Sequence, residues 1–285
     1  MQRHSLTLGQ CASLACLLEV SIPKPGNVHR GADFENVTFY HFAAAAGLIA
    51  PIIEAAPARR VGETILTAVA STRLAVATNT NLGTLMLMAP LAKVPREAPL
   101  ATGVVRVLAE LDATDARCVY EAIRLAQAGG LGRVDQADVA DDPPADLLAA
   151  MRLAADRDLV ARQYANNFAE VLSMVVPWLA GEMNQGRGLV QAVRTAQLRL
   201  LAEFPDSLIA RKCGLAIAEQ ASALARAALA AGPPGEDAHE EIVAELDFWL
   251  RSDGHRRNPG TTADLLAAGL FAALRDGIIE MPLKF

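Results

Sequence analysis

The chain has 285 residues, 52% of them hydrophobic and 5% aromatic, with a formal net charge of −6. That length and apolar content suffice for a large buried core and exclude a disordered chain. The acidic balance excludes duplex nucleic acid as a partner, since phosphate-backbone binding needs a clustered basic surface, although local basic spots can still hold a small phosphate ligand.

In chain order, Leu6 to Val20 carries apolar residues at three- and four-residue spacing and predicts a first helix, which Pro23 and Pro25 cannot continue. Arg3 and His4 precede this apolar stretch in the manner of a secretory leader, but Gly9 and Gln10 interrupt it and no small-residue cleavage site follows, so secretion is not expected. After a loop to Glu35, a helix runs from about Val37 to Ala55, entered through Asn36 or Thr38 and ended by Pro57. Its apolar run from Phe42 to Ala56 contains Pro51 and Glu54 and is shorter than the roughly 20 residues of a membrane span, so it is a buried helix.

Further helices are predicted over Gly62–Ala77, Thr84–Ala92, from Pro99 to Leu111, and from a cap at Thr114 to Gly129 and Gly130. Residues 131–146, with Asp135, Asp138, Asp141 and Asp142 before Pro143 and Pro144, lack apolar periodicity and read as a mobile loop or a solvated connector. Helices resume over Ala145–Leu153, Asp158–Glu182, Leu189–Glu203, Ser207–Ala231, Glu236–Ser252 and Thr261–Arg275. No strand alternation or fixed repeat interrupts them. With abundant Ala and Leu, the expectation is an all-α, multi-helix globular bundle with no significant sheet, residues 1–285 forming one catalytic domain. Cys11, Cys16, Cys118 and Cys213 show no metal-ligand spacing and read as reduced thiols of a cytoplasmic protein.

The segments able to carry chemistry are loops leading into helices. In Pro23-Lys24-Pro25-Gly26-Asn27 two prolines stiffen the backbone around Lys24, and His29 and Arg30 lie just downstream. A stiff loop presenting cations is a phosphate grip, or else an ordinary turn with solvated bases. Glu19 and Asp33 flank it, where Mg²⁺ shared with phosphate oxygens would suit them. Thr78-Asn79-Thr80-Asn81-Leu82-Gly83 sets amides and hydroxyls between two apolar helices, either to meet a ligand or to cap the next helix. Asn258-Pro259-Gly260-Thr261-Thr262-Ala263-Asp264 has capping-box spacing, Thr261 to Asp264, and its first-turn amides with Arg256 and Arg257 also make an anion site. Asp206 opens a helix that holds Arg211 and Lys212 and then Gly214, while Arg162, Asn166 and Glu170 share one helical face.

These motifs, in this order, resemble the triphosphoribosyl-dephospho-CoA synthase family over nearly the whole chain. Its Glu before Pro-Lys-Pro-Gly and following Asp are matched by Glu19, Pro23 to Gly26, and Asp33. Its Asn-Thr-His-Lys-Gly is matched by Asn79, Thr80 and Gly83, and its Pro-Asp-Thr by Pro205, Asp206 and Ser207, with Lys212 and Gly214 beyond. Its closing Ser-Pro-Gly-Gly-Ser-Ala-Asp-Leu-Leu is matched by Pro259, Gly260, Thr262, Ala263, Asp264, Leu265 and Leu266.

The resemblance implies an all-helical pentosyltransferase, in which ATP releases adenine and passes its triphosphoribosyl group to the 2′-hydroxyl of 3′-dephospho-CoA. It implies Lys24, Gly26, Asn27, Arg30, Asn79, Thr80, Lys212, Arg257, Gly260 and Thr262 around ATP, and Mg²⁺ on Glu19, Asp33 or Asp264. A nearby carboxylate would stabilise the sugar cation and a second, Asp206 or Glu170, would take the acceptor's proton, with Glu19 and Asp33 the other catalytic candidates. The partners implied are small molecules; a homodimer is allowed for. The chain departs from the family at Asn81-Leu82, where the family has His-Lys, and at Gly129-Gly130-Leu131-Gly132-Arg133, where it has Gly-Ala-Arg-Gly-Glu. Those departures leave open another acceptor, such as a tetrahydromethanopterin precursor, an N-glycoside hydrolase, or a non-catalytic nucleotide-binding protein.

Overall fold

A computed structural model describes residues 6–127 and 136–285. Among them fourteen α-helices carry the chain: α1 (Leu8–Ser21), α2 (Phe39–Glu54), α3 (Val61–Val76), α4 (Leu82–Lys93), α5 (Leu100–Ala109), α6 (Ala113–Ala126), α7 (Leu147–Ala154), α8 (Leu159–Ala165), α9 (Val176–Asn184), α10 (Leu189–Glu203), α11 (Ser207–Cys213), α12 (Leu215–Ala230), α13 (Asp237–Arg251) and α14 (Gly260–Arg275). The β structure among the described residues is one isolated bridge between His29 and Ala32, so the chain is all-α as its composition predicts. None of the described helices is long and apolar enough to cross a membrane.

Two helices are apolar on nearly every side and therefore must be enclosed. In α14, 13 of 16 residues are buried, and in α4, 10 of 12. They pack on each other, and α14 also packs against α1, α9 and α10, while α3 joins α2 to α6. A second apolar cluster lies among α10, α11, α12 and α13. There Ala218, Ala221, Ala225 and Ala228 form one buried stripe of α12, small enough for close approach to Leu198, Leu201 and Leu246.

The helix over Leu189–Glu203 lies where periodicity predicts it. The span 158–182 is interrupted instead. Asn167 and Phe168 adopt left-handed backbone at φ 61° and 63°, and a π-turn over Val171–Val175 leads into α9. Glu170 holds the break, taking Gln163 Nε2 at 2.6 Å, Asn166 Nδ2 at 2.7 Å and Arg162 Nε at 2.8 Å. The predicted helix 207–231 divides at Gly214, whose φ of 93° is costly for other residues. The cap of α6 is Asp112, which accepts from the Thr114 and Asp115 amides, and not Thr114. The expected capping box at the start of α14 is also absent: Pro259 is the N-cap without a side-chain bond, and the Asp264 carboxylate is drawn away by another helix.

Of the segment 131–146, residues 131–135 lie outside the described residues, as does the Gly129–Arg133 departure. The rest folds as a strap on α6. Tyr120 Oη donates to Ala137 O at 2.8 Å, and Arg124 donates to Val139 O at 2.7 Å and Asp141 O at 2.5 Å.

Candidate active site

Loops from opposite ends of the chain meet here. Gly26 has φ of 74°, and a Cβ on it would come within 2.8–2.9 Å of Leu250 and Pro259, so both conformation and space require glycine. Its N–H donates to Asp247 Oδ1 at 2.7 Å. Asn27 Nδ2 donates to Asn258 Oδ1 at 2.8 Å and to Pro259 O at 3.3 Å, and Arg251 donates to Asn27 O at 2.6 Å. The stiff Pro-Lys-Pro-Gly turn thus works as a joint that fixes the end of α1 beside the start of α14.

A cleft of about 770 Å³ opens beside that joint. Two of the carboxylates that line it are neighbours, Glu19 near the end of α1 and Asp264 in the first turns of α14. Thr84 Oγ1 of α4 donates to Asp264 Oδ1 at 2.6 Å. Burial, with the neighbouring Glu19 charge adding to it, raises the Asp264 carboxyl to about 7 against the donation from Thr84. The Cys16 thiol is pushed up by burial and by the same two carboxylates, which makes it a poor nucleophile. Gly83, on the loop side of α4, is where Asp264 fits: a Cβ there would stand 2.1 Å from its Oδ2. Gly83→Ala is therefore expected to displace the carboxylate and lower turnover about 100-fold, with a melting temperature near wild type. Steady-state kinetics and a melt check this, and turnover within threefold of wild type would contradict the assigned contact.

Seven of the residues expected from sequence line this cleft: Glu19, Asn27, Asn79, Thr80, Lys212, Gly260 and Asp264. Asn79 also accepts from the Leu82 amide at 3.2 Å, so its capping and lining roles coexist. Burial pulls the Lys212 ammonium below lysine's ordinary value, as it must where a cation awaits a counter-charge.

The other expected residues lie outside the lining. Lys24 is fully buried, its ammonium 3.0 Å from Glu19 Oε1 and donating to Ile22 O at 3.1 Å and to Glu19 O. It neutralises Glu19 from behind and has no route to a phosphate. Arg30 is exposed. Asp33 accepts from the Phe39 amide at 2.7 Å and anchors the start of α2. Arg257 lies over the Trp249 ring, 4.4 Å from its centroid. Gly26 is taken up in the joint, and Glu170 in the α8–α9 break. Asp206 is fully buried: it accepts from the amides of Leu208 at 2.9 Å, Ile209 at 3.0 Å and Thr262 at 2.7 Å, and from Thr262 Oγ1 at 2.8 Å. Asp206 and Thr262 therefore clamp α11 to α14.

The cleft also gathers residues to which the sequence motifs give no role at the substrates. Arg157 and Asp158 precede α8, Arg211 pairs with Asp158, and His255 stacks on Phe34 with centroids 4.1 Å apart. Arg73 enters from the last turn of α3. Arg211 had a visible sign, its place beside Lys212; the others carry none that local pattern can supply. Among the described residues no three potential metal ligands cluster; of the carboxylates that line the cleft, Glu19 and Asp264 are neighbours.

The profile of a family described as ATP:dephospho-CoA triphosphoribosyl transferase matches residues 5–282. A crystal structure from Archaeoglobus fulgidus, provisionally described as a triphosphoribosyl-dephospho-CoA synthase, is 28% identical, with a TM-score of 0.65 over 82% of this chain and 98% of that one. No curated protein matches significantly.

Proposed function

The chain belongs to the ATP:dephospho-CoA triphosphoribosyl transferase family, and on that premise we propose that its cleft moves the triphosphoribosyl group of ATP onto dephospho-CoA. The observation that carries the residue assignment is the neighbouring pair Glu19 and Asp264 in a cleft also lined by Arg157, Arg211 and Lys212. In this reaction the C1′–N9 bond of ATP breaks, its electrons leave with adenine, and adenine takes up a proton. A new bond forms from the acceptor's 2′-oxygen to C1′, and that oxygen's proton passes to a carboxylate. The triphosphate is kept whole, so cations need only hold it. Positive charge growing on the sugar is stabilised by a nearby carboxylate, as in glycosidases.

Lys212 and Arg157 are assigned to the triphosphate, and Glu19 with Asp264 to the reacting sugar. The same two carboxylates suit Mg²⁺, because that ion takes one or two carboxylates together with phosphate oxygens, and two adjoining acids, one of them raised to about 7, gain from a shared cation. Bound there, Mg²⁺ would supply charge neutralisation for the polyphosphate. Lys24, paired behind Glu19, orients that carboxylate. A cytoplasmic setting belongs to the same proposal, supported by four free thiols.

The test is chromatographic detection of adenine from ATP, Mg²⁺ and dephospho-CoA. Adenine release that requires the acceptor is the expected result; equal release without it would make the protein a hydrolase, and ATP binding without release would end the transfer reading. Lys212→Ala is expected to raise the KM for ATP about tenfold or more, a charge-assisted contact being worth about 1.5–3 kcal/mol. An unchanged KM would remove Lys212 from the donor site.

A further inference from the structure

The cleft has two chemically different sides. One is built from α11, residues 254–260 and the segment before α8, and carries Arg157, Arg211 and Lys212; Arg256 donates to Lys212 O at 2.7 Å and holds it together. The other is built from α6, the strap over 136–141, α7 and the body of α8, and is faced by Ile123, Val139, Met151 and Ala154. Hydrogen bonds and helix packing fix this second wall: Tyr120 and Arg124 pin the strap to α6, and α7 packs on both α6 and α8. The strap's Asp138 turns back on its own backbone, accepting from the Ala140 amide at 2.8 Å. A cation stands at this wall's edge, Arg73, whose Nη2 reaches Gln127 Oε1 of α6 at 3.3 Å.

The two substrates of the proposed reaction share an adenosine bearing 5′-phosphates. What distinguishes the acceptor is the long, uncharged, flexible pantetheine arm beyond its diphosphate. A triphosphate needs the basic side and gains nothing from aliphatic surface; the arm needs the reverse, since apolar surface removed from water is its main source of affinity. Resting on the transferase reading, we infer that the wall of α6, strap and α7 is the acceptor subsite, holding the pantetheine arm over Ile123, Val139, Met151 and Ala154, with Arg73 at the diphosphate that joins the arm to the nucleoside. The cleft thereby sorts two nucleotides by the part they do not share, with the sugars meeting between the sides at Glu19 and Asp264.

Calorimetric titration of the full chain with dephospho-CoA, ADP, 4′-phosphopantetheine and ATP tests this, because ADP is the acceptor's nucleotide without the arm and 4′-phosphopantetheine is the arm with one phosphate. Wild type is expected to bind dephospho-CoA at least about tenfold more tightly than ADP, roughly 1.4 kcal/mol. Ala154→Trp, which fills the wall, is expected to erase that ratio while leaving the affinity for ATP within about twofold. Arg73→Gln, whose fold a melting curve checks because Arg73 also donates to Ala77 O at the end of α3, is expected to weaken dephospho-CoA and 4′-phosphopantetheine together by about tenfold and leave ATP unchanged. Equal binding of ADP and dephospho-CoA by wild type, or a loss in Ala154→Trp that falls equally on ATP, would overturn the subsite. Arm-dependent binding with no adenine release would keep the subsite and remove the transfer reading instead.

Discussion

Asp264→Asn is expected to lower adenine release by about 10³-fold, whether the carboxylate acts on the sugar cation, on a metal or on a proton, because each of those roles requires the negative charge that the amide lacks. The amide can still accept from Thr84, so the fold is retained. It should even gain stability at high pH. Burial raises the Asp264 carboxyl to about 7 from an ordinary value of 3.8; the buried acid is therefore comfortable while protonated, its contribution is fully present below about 4, and it is lost as pH rises through about 7. For a shift of this size the loss is on the order of 4 kcal/mol at most, in the protein without ligands. Melting curves at pH 5 and pH 8 check the sign: the stability of Asp264→Asn relative to wild type is expected to rise between them. A variant retaining a tenth of wild-type turnover would remove Asp264 from the chemistry, and a flat difference in melting temperature would remove the strained carboxyl.

The second large effect is on folding. Asp206→Ala is expected to cost about 3–5 kcal/mol in urea denaturation, since it strips partners from three buried or half-buried amides and the Thr262 hydroxyl at once. Both helices that Asp206 joins, α11 and α14, present their positive ends to it, so the carboxylate also answers two helix dipoles. Its burial raises the carboxyl while the Thr262 and Ile209 donors pull it back. Asp206→Asn keeps a single acceptor oxygen and should fall between wild type and Ala. A cost under about 1 kcal/mol for Asp206→Ala would show that the α11–α14 clamp is not a stability element. The residual activity of the folded fraction would separate this role from that of a proton acceptor, which predicts loss of turnover without loss of fold.

How far the sequence speaks for itself depends on the range of the force involved. The helix over Leu189–Glu203 and the end of α2 near Pro57 follow from periodicity and proline, both local. The division at Gly214 had a local sign, the glycine. The break after α8 had none, because Asn167 and Phe168 are non-glycine residues held left-handed by the bonds that converge on Glu170. Thr261 and Asp264 carry the spacing of a capping box, yet Thr84, 180 residues away, offers the carboxylate a stronger bond. Lys24 illustrates the same limit. A lysine between two prolines looks like an outward cation, but its stem folds back to Glu19, and only the tertiary enclosure decides which end of the side chain meets water. The family motifs fall partly on the cleft and partly on the packing around it: Glu19 and Asp264 face the cleft, whereas Asp206 and Glu170 secure helix junctions.

The joint at Gly26 has a consequence for biosynthesis. Residues 19–27 and 258–264 both contribute to the cleft lining although they are made far apart in translation, and the contact between Asn27 and Asn258 spans 231 positions. A nascent chain can assemble the alanine-rich cluster of α10 to α13 locally and pack α1 on α2 early, but the side of α1 that meets α14 stays uncovered until α14 is made. A chain not yet extended to α14 therefore holds Glu19 without Asp264. The pair of carboxylates is complete only when α14 packs on α1.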